Sequence, residues 1–295
     1  MLTLKEVRTR ISSVESTEQI TNAMKMVAAS KLRKAQNSIL KLRPYASKLQ
    51  EILHNLTKSF ENSEKNVFSE TRTPDKILLI VIASNRGLCG TFNANIIKAT
   101  NNLIAKKYNE QNKAGNLNIY CFGKKASEYY KKNNYKVLAT NNEIFSDLTF
   151  ENTAPVAESF MKDFTEKKYD KIEIIYDQFK NAAVQRLIIE QYLPIVLEKE
   201  ETIGEKESFI DFIFEPSKKD IIRELIPKSL KIQLYKALLD SFASEHGARM
   251  TAMHMATDNA QELLKELKLS YNKARQAAIT NEILEIVGGA EALKG

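Results

Sequence analysis

The sequence predicts an α/β domain set between two long helices, and three observations carry that prediction. Glycine and proline are scarce, 9 and 6 among 295 residues, so long uninterrupted helices are permitted. Apolar residues recur at helical spacing near both ends of the chain. Between the ends, short β-branched runs alternate with helical stretches, which is the pattern of a largely parallel sheet.

The first element covers residues 1–60. Leu4, Val7, Ile11 and Val14 begin an apolar stripe that Thr21, Met24, Ala28 and Ala35 continue with smaller side chains. A thin stripe of this kind lets a second helix approach closely. The one proline, Pro44, is expected to bend the helix. Residues 61–75, within "SFENSEKNVFSETRTPD", read as a polar linker.

The α/β domain follows over residues 76–214. Strands are expected at Ile77–Ala83, Leu117–Phe122 and Lys171–Tyr176, around Val184–Tyr192, and at Phe209–Phe214. Helices such as "GKKASEYYKKN" and "TAPVAESFMKDFTEKKY" are expected to separate the first four.

Residues 215–295 form the last helix, with a kink expected at Pro227. Met253, Thr257, Ala260, Leu264, Leu267, Tyr271, Ala274 and Ala278 keep an alternating four–three spacing, the seam of a coiled coil. At about 1.5 Å per residue the terminal helices would be on the order of 85–100 Å long. Neither is stable alone at that length, so the two are expected to pair. Connectivity then makes the pair antiparallel, with both chain ends together and the C-terminal tip projecting by about 20 Å. That tip, "QAAITNEILEIVGGAEAL", is apolar around its circumference, which implies a surrounding protein sleeve.

Composition narrows the function classes. No apolar run reaches the roughly 18 residues of a membrane span, and the start has no apolar signal core. Cys89 and Cys121 form no CxxC pair and read as reduced thiols, with one disulfide the alternative. Residues 1–60 hold eleven basic and four acidic side chains, an excess equal to the net charge of +7 for the whole chain. A basic segment suits nucleic acid, an anionic membrane or an acidic protein. A nucleic-acid coiled coil would carry that bias into its last helix. From Tyr271 onward, however, Lys273, Arg275 and Lys294 are balanced by Glu282, Glu285 and Glu291.

The stretch "ILLIVIASNRGLCGTFNANIIKA" has the strand–loop–helix form of many phosphate sites. Gly87 and Gly90 supply only G-x-x-G, short of a dinucleotide fingerprint, and no Lys-Ser or Lys-Thr follows as in a Walker loop. The loop reads as structural, its glycines serving close strand-to-helix packing. His54, His246 and His254 have no metal spacing, Cys89 has no activating neighbour, and G-x-S-x-G is absent. Met250, Met253 and Met255 read as packing residues. Neither catalysis nor a cofactor is expected.

Four motifs carry a family resemblance. "ITNAMKMVAASKLRKAQ", "SNRGLCG", "SEHGARMTAMHMATDNA" and "YNKARQAAITNEILEIVGGA" resemble the gamma subunit of F-type ATP synthases. The likeness covers both terminal helices, and the middle domain at its glycine loop and strand order. The loop departs slightly, with Ser84-Asn85 where an acidic residue is common before the arginine, and the chloroplast-type cysteine insertion is absent.

The resemblance implies an antiparallel coiled coil flanking a Rossmann-like domain. It also implies a rotor shaft, one copy per complex, inside a ring of α and β subunits, with the epsilon subunit and the c ring as further partners. Such a shaft would couple ion-driven rotation of c to the conformational cycle of β for ATP synthesis, or ATP-driven pumping in reverse. It would have no catalytic site, cofactor, metal or nucleic acid of its own. Its place would be peripheral, on the cytoplasmic face of the bacterial inner membrane. Carried over residue by residue, Met24 and Lys25 would face the acidic segment of β, with Arg249 on the adjoining turn. Arg275, Gln276 and Thr280 would approach the catch loop of β, while Met253, Ala260, Leu264, Leu267 and Ala274 would form the seam.

Overall fold

The computed structural model describes residues 3–58, 67–195 and 218–292. In chain order these form α1 (Leu4–Lys58), β1 (Ile77–Ile82), α2 (Phe92–Lys107), α3 (Asn109–Lys113), β2 (Leu117–Phe122), α4 (Lys124–Lys132), β3 (Val137–Asn141), α5 (Phe150–Thr165), β4 (Lys171–Phe179), β5 (Gln185–Leu193) and α6 (Lys218–Ala292). The chain divides into two compact units, one of residues 1–29 with 249–295 and one of residues 30–248.

The larger unit is built on a sheet of order β3-β2-β1-β4-β5. β1 pairs in parallel with β2 and β4, and β2 with β3, whereas β5 runs antiparallel to β4. All six side chains of β1 are apolar and buried, as expected of a central strand covered on both faces. Alternation sends Leu78, Ile80 and Ile82 to one face, where they join Phe160 and Phe164 of α5 and Leu230, Leu234 and Leu238 of α6. Ile77, Leu79 and Val81 join Phe92 and Ile96 of α2 and Ala126 and Tyr130 of α4 on the other.

The strand at β3 was not expected. It is short, lies at the sheet edge and is half exposed, so its sequence shows no apolar alternation. The helix expected between the third and fourth predicted strands is replaced by a hairpin joining β4 to β5. The Asn181 side chain closes it, Oδ1 accepting from the backbone amides of Ala183 and Val184 at 3.0 and 2.7 Å. Pro44 and Pro227 lie within α1 and α6 and divide neither helix. Ile39 and Leu49 around Pro44, and Ile226 and Leu230 around Pro227, are buried, and this packing offsets the lost backbone hydrogen bond. The strand expected at 209–214 falls outside the described residues.

In the smaller unit α1 starts with a reciprocal cap. The Thr3 amide donates to Glu6 Oε2 at 2.8 Å, and the Glu6 amide donates to Thr3 Oγ1 at 3.3 Å. Three contacts fix the pairing of α1 with α6. The Thr21 and Thr257 hydroxyls meet at 2.9 Å, Gln261 Nε2 donates to Glu18 Oε1 at 3.0 Å, and Lys268 Nζ lies 3.2 Å from Glu15. One residue number falls as the other rises, so the helices run antiparallel. Carried from Glu15 back to Leu4, the register brings the partner position from Lys268 to about Ile279.

Candidate functional site

The C-terminal edge of the parallel strands is where a doubly wound sheet binds its ligand, in the crevice where strand order reverses. Here β1 and β4 flank that position, and α6 fills it. Ser241 Oγ donates to the Ile82 carbonyl at 3.5 Å and Ser244 Oγ to the Asp177 carbonyl at 2.9 Å. At Gly247 an added Cβ would stand 3.3 Å from Ala182 Cα, so the helix backbone is pressed against the hairpin turn.

The neighbouring loop spends its polar side chains on tying itself to the elements around it. Ser84 donates from both its amide and its hydroxyl to Asn93 Oδ1 at 3.0 Å, and Asn93 Nδ2 lies 3.2 Å from Cys89 Sγ. Asn85 ties it to two further backbones, donating to the Asn142 carbonyl at 2.7 Å and accepting from the Lys124 amide at 3.0 Å. The glycines differ from the packing role expected of them. A Cβ at Gly87 would meet nothing within 4 Å, and Gly90 instead supplies a left-handed φ of 59°. The close approach belongs to Gly123 at the end of β2, where a Cβ would lie 2.1 Å from the Ala83 carbonyl oxygen.

Cys89 and Cys121 are buried free thiols, and burial pushes Cys121 up to about 12, far from a reactive thiolate. Among the described residues no group of His, Cys, Asp and Glu is placed to hold a metal. A buried acid that the sequence did not reveal, Glu173 on β4, accepts from Lys107 at 2.7 Å and lies 3.1 Å from Lys171. Burial raises its carboxyl, but the two lysines, Lys107 foremost, outweigh this and hold it below the usual range. Its partners are structural, tying α2 to the sheet.

The residues expected to contact partners all lie on the helix pair of residues 1–29 and 249–295. Met24 and Lys25 are half-buried on α1, whereas Arg249 on α6 is only 8% exposed. Arg275 and Gln276 are exposed, and the exposed Thr280 donates its hydroxyl to the Gln276 carbonyl at 2.9 Å. Met253, Ala260, Leu264 and Leu267 are buried, and Ala274 is half-buried.

Beyond that point burial ends. Ile279, Ile283, Leu284, Ile286 and Val287 are all exposed, at the end of α6 that passes the start of α1. Ile20, Met26 and Val27 add exposed apolar side chains lower on the pair that the sequence reading missed, and Met255, expected to be a packing residue like the buried Met253, is 61% exposed because it lies off the seam. Their signal was available: Met26-Val27 is an apolar pair flanking, rather than continuing, the stripe through Met24 and Ala28.

Comparison with known proteins agrees along the full length. The ATP synthase gamma chain of Christiangramia forsetii is 56% identical, with 100% of each chain covered, and that of Flavobacterium johnsoniae is 55% identical with the same coverage. The ATP synthase family pattern matches residues 3–293. The chain belongs to the gamma-chain family of F-type ATP synthases. Among solved structures, one from the central stalk and c ring of the Tetrahymena thermophila mitochondrial ATP synthase is similar at a TM-score of 0.57 and 26% identity, covering 80% of this chain and 99% of the other. One from the Euglena gracilis mitochondrial ATP synthase shares the fold at a TM-score of 0.67, covering 98% and 94% of the two chains at 20% identity. A gamma chain is a non-catalytic, central-stalk component of its complex. Among the described residues no helix is long and apolar enough to cross a membrane.

Proposed function

We propose that this gamma chain is the rotating shaft that couples ion flow through a membrane c ring to the catalytic cycle of β subunits, and ATP hydrolysis to ion pumping in reverse. One observation carries the reading: the tip of α6 runs past the start of α1 with apolar side chains exposed around it. Such a surface stays in solution only inside a sleeve of other protein. A ring of α and β subunits around residues 1–29 and 249–295 supplies that sleeve. Residues 76–214, with the linker 61–75, form the base that meets the epsilon subunit and the c ring. The assembly is peripheral, on the cytoplasmic face of the bacterial inner membrane, with one gamma chain per complex.

Within the sleeve, Met24, Lys25 and Arg249 are placed toward the acidic segment of β, and Arg275, Gln276 and Thr280 toward its catch loop. The exposed guanidinium of Arg275 and amide of Gln276 have donors to give, and an arginine–carboxylate contact adds orientation as well as energy. The test is direct. With the α/β ring fixed to a surface and a bead on the base domain, ATP should drive rotation in one direction. A bead that stays still while ATP is hydrolysed would end the shaft reading.

A further inference from the structure

Where α1 and α6 meet the sheet in the unit of residues 30–248, they leave a cavity of about 270 Å³. Ile39, Leu42 and Arg43 of α1, Gln178 of β4, and Lys236 and Asp240 of α6 are among its lining residues. Asp240 is 3% exposed, and its Oδ1 is enclosed without a hydrogen-bond partner. An ionised carboxylate in that state is costly, because nothing replaces the water it has lost. Burial pushes the Asp240 carboxyl up to about 6, against the pull of Lys236 and Arg43, and Glu190 adds to the rise.

The groups around Asp240 come from four elements. α1 contributes the exposed cation Arg43, and α6 contributes Lys236 and the amide of Gln233. β5 contributes Glu190, itself raised by burial, whose Oε1 accepts from Gln233 at 3.3 Å. β4 contributes Gln178 and, next to Glu190, Tyr176. Asp177 points to the opposite face of β4 by strand alternation.

We propose that Asp240 is a proton-binding latch: proton uptake seats α1 and α6 closely on the sheet, and proton release loosens them. The ionised carboxylate is satisfied by drawing water or the two flexible cations through the cavity, which parts the helices locally. The neutral acid needs neither, and the apolar lining from Ile39 and Leu42 closes.

The sign follows from linkage. A carboxyl raised in the closed state favours that state below its ordinary value, and the advantage is lost as pH rises through about 6. Between pH 5.5 and 7.5 the local opening constant should therefore rise by about fourfold.

The test is hydrogen–deuterium exchange on the full chain in its assembled complex, at pH 5.5 and 7.5, normalised for intrinsic exchange. Peptides over residues 33–49 and 232–244 should open about fourfold more at the higher pH. Asp240→Asn, which stays neutral, should abolish that ratio. Arg43→Gln removes an exposed cation and should move the midpoint upward. A wild-type ratio of one, an Asp240→Asn variant keeping the wild-type ratio, or a downward shift in Arg43→Gln would each overturn the latch.

Discussion

In the unit of residues 30–248, β1 presents six apolar side chains and all are enclosed, whereas the helix pair of residues 1–29 and 249–295 leaves Ile20, Met26, Val27 and Met255 exposed. The sheet unit covers both faces of its strands with its own helices. The helix pair touches along one line, through Thr21, Ala28, Met253, Thr257, Ala260 and Leu264, and several of those side chains are small or polar. Burying a leucine-sized side chain contributes about 1.5–3 kcal/mol, and small residues contribute far less. The first unit is thus equipped to fold on its own core. The second is finished only by what surrounds it.

The largest expected effect tests the self-contained unit. Gly123→Ala puts a Cβ 2.1 Å from the Ala83 carbonyl oxygen, at a residue whose φ is +98°. Both features are backbone constraints, so no side chain can swing away, and the loss should exceed about 4 kcal/mol. Yield and thermal unfolding of the full chain give the answer. A variant that melts beside the wild type would mean that the β1–β2 packing is looser than described.

Next comes the helix pair. Leu264→Asp places an unpaired charge at a buried seam position, at a cost of about 3–5 kcal/mol. The contrast with Gly123→Ala lies in where the loss appears. Isolated chain should still fold over residues 30–248, while assembly into the complex fails. Wild-type assembly and thermal stability would remove Leu264 from the seam.

The same contrast decided what was legible in the sequence. β1 was plain because six successive apolar residues admit few readings, and the seam was plain because its spacing repeats from Met253 to Ala274. The hairpin was hidden because its signal is one side chain, Asn181, accepting from two amides, and such turns carry no periodicity. β3 was hidden because Val137–Asn141 is short and half exposed. The Asp240 environment could not be read at all. Arg43, Glu190 and Asp240 come together only through tertiary packing, and nothing in their local sequence marks it.

A smaller effect sharpens the picture of the closed unit. Burial pushes Asp177 on β4 up to about 6. Its folded-state value lies above the unfolded one, so its contribution is fully favourable only below about pH 4 and is lost as pH rises through 6. Asp177→Asn should therefore stabilise the chain at pH 7.5 by on the order of 3 kcal/mol, with the gain vanishing near pH 4. Thermal unfolding across that range measures it. A gain that stays constant with pH would show that something other than the proton is responsible.

The smallest effect probes the proposed bearing between helix pair and sleeve. Met24 is half-buried on α1 beside Lys25, in the segment assigned to the acidic stretch of β. Met24→Lys adds a second adjacent cation, and a new ion pair at one rotary angle contributes about 1 kcal/mol. On the proposed reading the shaft passes equivalent β subunits in turn, so deepening one well raises the barrier out of it. Assembly and ATP hydrolysis should survive, because Met24 is only half-buried and a lysine keeps its long unbranched stem against the stripe. Ion pumping per ATP should fall, and added salt should restore part of it, since a partly exposed pair is screened over about 8–10 Å. Pumping and hydrolysis measured on the same membrane vesicles separate the outcomes. An unchanged ratio would place Met24 off the coupling surface. A loss that salt does not relieve would point to the longer side chain obstructing the sleeve rather than to its charge.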